Sequence, residues 1–167
     1  MKYQFSILTL LFLVTFTFFC TESVAEFSEV DAKIESAVDC FSGPAGPPKD
    51  GKKGFFLLME AIELASSETD FPQDFKHKIS NANNLLGETS IFNQEGLTLL
   101  NEAYSSINSG ERFQMPEDIS SIEQARELVL RKMEEARKEL KQGNIEDSVR
   151  SLLEVAIMVV TPMIREH

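Results

Sequence analysis

Apolar residues recur at steps of three and four along most of the chain, and that spacing predicts helices rather than strands. The clearest stretch runs from 119 to 164. Ile122, Ala125, Val129, Met133, Ala136 and Leu140 form one stripe, and Ile145, Val149, Leu152, Ala156, Val160 and Met163 form a second. Between them stands Gln142-Gly143-Asn144, a link that predicts a tight turn joining two antiparallel helices. Helix 120–142 opens with Ser120-x-x-Glu123, the pattern of a capping box. On its outer face Glu127 precedes Arg131 and Glu134 precedes Lys138, each four apart in the favourable acid-first order. Helix 144–161 is apolar nearly all round from Val149 to Val160 and is expected in the interior. Pro162 is expected to end or kink it, because proline lacks the donor a further turn needs.

The same period places further helices upstream. Residues 26–40 carry Phe27, Val30, Ile34 and Val38 on one face, with Ser28 as cap and Asp31 in the first turn. A run from Phe41 to Gly54 follows, with prolines at 44, 47 and 48 and glycines at 43, 46, 51 and 54, and this predicts a loop. Residues 55–66, FFLLMEAIELAS, predict a buried helix whose wet edge is Glu60 and Glu63. Asp70-x-x-Gln73 predicts the capped start of helix 71–86, with Phe71, Phe75, Ile79, Ala82 and Leu86 facing inward and Gly87 as a left-handed stop. Asn93 caps helix 93–109, whose inner face is Leu97, Leu100, Tyr104 and Ile107, and Gly110 ends it. The expected fold is all-α, an antiparallel bundle of five to six helices with the 120–142/144–161 hairpin as its spine. Helix 26–40 either docks on that bundle or stays partly detached behind its loop.

One stretch departs from the helical period. Phe5 to Cys20 carries no charge, follows Lys2, and is short for a membrane span, which matches the apolar core of an export signal. Ser23-Val24-Ala25 is small where a signal peptidase reads, so cleavage is expected between Ala25 and Glu26. The organisation is then a signal peptide at 1–25, an N-terminal helix and Pro/Gly-rich loop at 26–54, and a bundle at 55–167. Cys20 offers a rival outcome, lipidation at the end of the apolar run, although Phe18-Phe19 is bulky beside it. With Cys20 removed, Cys40 stands alone, so an oxidising compartment would impose no internal disulfide framework.

Charge narrows the partners. The 167 residues hold 27 acidic and 16 basic side chains, a net charge of -11, which argues against nucleic acid and anionic lipid headgroups. The membrane is then met only through the signal or a lipid on Cys20. The partners left are an unidentified protein and a second copy docked on an exposed apolar face of helix 55–66.

Candidate chemistry is sparse. Asp70, Asp74 and His77 share one helix face and form half of a metal pattern, but a bundle metal centre needs a second acid-x-x-His, and Ile164 stands three before His167. No C-x-x-C-H exists for covalent haem, and a non-covalent site would have to pair His167 with a methionine. Gly46-x4-Gly51-Lys52-Lys53 misses the phosphate-loop pattern by the hydroxyl that should follow the first lysine. No G-x-S-x-G is present, and Cys40 has two histidines from which to draw a base. The chain is therefore expected to be no enzyme and to hold no cofactor. The expectation is an exported helical bundle, periplasmic or secreted, acting by binding or scaffolding. The alternative is a metal- or haem-carrying bundle using His77 or His167.

Overall fold

The computed structural model describes residues 27–42, 50–88, 93–116, 119 and 121–165. Six helices form among them and no strand: α1 Ser28–Phe41, α2 Gly51–Ser67, α3 Gln73–Glu88, α4 Gln94–Ile107, α5 Ile122–Lys141 and α6 Ile145–Arg165. Their contacts close into a ring in the order α1, α2, α3, α4, α6, α5, and α2 meets α6 across it. The arrangement amounts to two three-helix layers face to face, α1-α2-α3 against α5-α6-α4, with α2 and α6 in the middle.

Stripe width decides which helices take the middle. A helix touched on several sides must be apolar on several sides. In α2, Phe55, Leu58, Met59, Ala61, Ile62 and Ala65 are buried, and in α6 Val149, Leu152, Leu153, Val155, Ala156, Ile157, Met158 and Val160 are. The hub is therefore α2 with α6 rather than the α5–α6 hairpin. α5 buries Val129, Met133, Ala136 and Leu140, but its stripe runs out toward its start, where Ile122 is 58% exposed. α1 docks fully, with Val30, Ile34, Ala37 and Phe41 buried against α2 and α5.

The link between α5 and α6 follows the sequence closely. Gly143 has φ +82, its N–H donates to the Leu140 carbonyl at 3.0 Å, and the Asn144 N–H donates to the Glu139 carbonyl at 2.9 Å. These two bonds make a Schellman stop and satisfy carbonyls the helix leaves open. Asn144 then starts α6, its carbonyl accepting from the Ser148 N–H at 3.0 Å. Asn93 caps α4 as its residue type predicts, its side chain accepting from the Glu95 and Gly96 N–H groups.

Other boundaries move, each for a local reason. Phe27, not Ser28, is the N-cap of α1, and the side chain of Asp31 is drawn to α5. α2 starts at Gly51, so part of the Pro/Gly run is helical. A Cβ on Gly54 would lie 2.8 Å from Phe41 Cε2 and 2.9 Å from Cys40 Cβ, so this glycine lets α1 and α2 approach rather than breaking a helix. α3 starts at Gln73 because Phe71, standing before Pro72, is disfavoured in helical backbone, and the Pro72 carbonyl accepts the Lys76 N–H at 3.2 Å. Asp70 therefore sits ahead of the cap position. Gly87 stays helical within α3 instead of stopping it. α5 is capped by Ser121, whose hydroxyl accepts from the Gln124 N–H at 3.2 Å; Ser120 lies outside the described residues. α6 runs past Pro162 to Arg165, so the proline does not end the helix.

Candidate functional site

The most connected polar cluster joins α4, α5 and α6. Glu154 is the one charged residue between Ser151 and Val160 of α6, and its side chain is only 13% exposed. An acid so placed must be partnered, because an unpaired carboxylate loses its hydration without return. Tyr104 of α4 donates its hydroxyl to Glu154 Oε1 at 3.0 Å, and Lys132 of α5 holds Glu154 Oε2 at 2.9 Å. Asn108 completes the chain by donating to the Tyr104 hydroxyl at 3.2 Å, and Phe113 meets the Tyr104 ring edge-on at 5.9 Å. Burial, then the Glu154 carboxylate that accepts its proton, pushes the Tyr104 phenol up to about 12. Burial opposes charge on Lys132, but Glu154 and then Glu135 outweigh it, so its ammonium is held above the ordinary lysine range. This network fixes three helices against each other.

A second cluster ties α1 to α5. Arg137 donates from Nε to Asp31 Oδ1 at 2.8 Å and from Nη2 to Asp31 Oδ2 at 3.3 Å. Glu35, Glu134 and Lys141 complete the group. The Arg137 guanidinium, bonded in this forked geometry, holds the Asp31 carboxyl below its ordinary range. Lys33 bridges α1 to Glu60 of α2 at 2.7 Å. The acid-first pairs on α5 give way to others: Glu134 meets Arg137 and Lys132 meets Glu135, each three apart.

Asp74 and His77 lie on α3 as the period predicts, both exposed, while Asp70 stands in the turn before it. Asp74 is engaged by Lys78 at 2.6 Å, and His77 lines a shallow groove with Lys76 and Glu63. Among the described residues no three His, Cys, Asp or Glu side chains come together in an arrangement that could hold a metal ion. Cys40 is half-buried and free. Gly51, Lys52 and Lys53 form the first turn of α2, with Lys52 over the Phe56 ring at 5.7 Å. Ala25, Glu26, Cys20, Gly46 and His167 lie outside the described residues. No described helix is long and apolar enough to cross a membrane. The α2 face that the sequence offers to a second copy is largely taken up within the chain, with Phe56, Leu57 and Leu64 packed against the core.

Two clefts flank the α5–α6 link. One, of about 660 Å³, lies between the α2–α3 turn, the end of α4 and the start of α6, with Phe71, Ile107 and Ile145 among its walls and Asp70, Glu146 and Asp147 on its rim. The other, of about 680 Å³, lies between the start of α1 and the end of α5, lined by Phe27, Leu140 and Ile145 among others. Glu146 and Asp147 occupy the first turn of α6, where the helix dipole favours acids, and both are paired with Arg150. The helical period places Tyr104 on an inner face, as found, but singles out neither Lys132 nor Glu154, although a lone acid inside an apolar helix is a usable signal. Compared with known proteins, the chain matches no family model, no curated protein and no solved structure.

Proposed function

We propose that this is an exported helical-bundle protein that acts by binding or scaffolding in the cell envelope or outside the cell, and not by chemistry. The observation that carries the reading is the layout of the N-terminus: Lys2, the uncharged run Phe5 to Cys20, then Ser23-Val24-Ala25. The binding half is supported by where the polar groups go. Five of the polar groups drawn inward, Glu154, Tyr104, Lys132, Asp31 and Arg137, hold helices together.

The intact mass of the exported product tests export directly. A chain starting at Glu26 is expected; a lipid-modified chain starting at Cys20 would replace plain release with anchoring. A full-length product retained in the cytosol would overturn the proposal. For the mode of action, the purified protein is expected to carry no bound metal and no haem absorption, and stoichiometric loading of either would replace binding and scaffolding with a carrier role.

A further inference from the structure

We draw no further inference here: the strongest candidate, the acid-rimmed cleft between the α2–α3 turn, the end of α4 and the start of α6, rests on carboxylates of which Glu146 and Asp147 are already paired with Arg150, and nothing in the structure shows what covers it.

Discussion

α5 and α6 are nearly equal in length, 20 and 21 residues, and share a hairpin, yet they do opposite work. α6 lies in the middle of its layer and meets α2, α4 and α5, with eight apolar side chains buried between Val149 and Val160. α5 lies at the edge and meets chiefly α6 and α1, burying four. What α5 lacks in apolar breadth it supplies in charge: Lys132 reaches Glu154 of α6, and Arg137 reaches Asp31 of α1. Helical period alone does not distinguish these roles. The width of the apolar face does, because it counts how many neighbours a helix can accept without burying charge.

The largest effects should fall on α6. Leu152→Ala or Ile157→Ala is expected to cost about 2–5 kcal/mol, since both side chains are buried and the cavity left behind adds to the lost transfer energy. Ile122→Ala, on the exposed start of α5, should stay within about 0.5 kcal/mol of the parent. Urea midpoints of the three variants check the contrast. Equal losses at Leu152 and Ile122 would break it by making α5 as central as α6.

The next effect sharpens what α5 does instead. Arg137→Ala should cost roughly 1–2 kcal/mol, because a forked, charge-assisted pair is lost and Asp31 is left half-buried without it. Side-chain exposures of 15% for Arg137 and 24% for Asp31 keep this pair above the value of a surface ion pair. The pH dependence has a definite sign. Asp31 is depressed below its ordinary 3.8 in the folded chain, so its contribution is complete above that value and is lost as pH falls through the lower folded one. Asp31→Asn should remove this part of the acid dependence. A stability profile below pH 4 that is identical for the parent and the variant would refute the clamp.

The sequence tells much about which segments are helical and less about how they are ranked. The six helices follow from period, and the Gly143 and Asn93 signals work because each depends on its own backbone. Boundaries fail where a neighbour decides. Gly54 reads as a breaker in isolation, but its missing side chain answers to Phe41 across the helix pair. Asp70 reads as a cap until Pro72 shifts the start of α3. The polar network is the least legible part, because Tyr104, Lys132 and Glu154 are separated by 28 and 22 residues and meet only when three helices pack. The sequence does mark one of its members, for Glu154 is the one charge between Ser151 and Val160 of α6.

Two buried serines in the two middle helices extend the comparison from edge against centre to centre against centre. Ser66 of α2 donates its hydroxyl to the Glu63 carbonyl at 2.9 Å, whereas the buried Ser148 hydroxyl of α6 has no protein partner. A buried hydroxyl without a bond has lost its hydration for nothing, so removing it should help. Ser148→Ala is expected to stabilise by about 1 kcal/mol and Ser66→Ala to destabilise by about 1 kcal/mol. Thermal melts of the two variants moving in the same direction would count against this assignment.

The smallest effects belong to the two left-handed turns at the ends of α4 and α5. Gly143 closes α5 at φ +82, while at the end of α4 the left-handed position next to the helix is held by Ser109 at φ +51, with Gly110 following at φ +85. A side chain at Gly143 would meet nothing within 4 Å, so Gly143→Ala tests backbone strain without a packing term. The expected loss is about 1 kcal/mol, from the clash of Cβ with the local carbonyl in a left-handed conformation. Ser109 already bears that strain, so Ser109→Gly should recover it, less the entropy a glycine adds to the unfolded chain, for a net gain of about 0.5 kcal/mol. The pair is read best by urea denaturation at equal slope, because a change in slope would mean the unfolded state had moved as well. If Gly143→Ala proves neutral, the hairpin does not need its left-handed stop. The fold-back of α5 onto α6 would then be held by the buried stripe from Val129 to Leu140 and the Lys132–Glu154 pair.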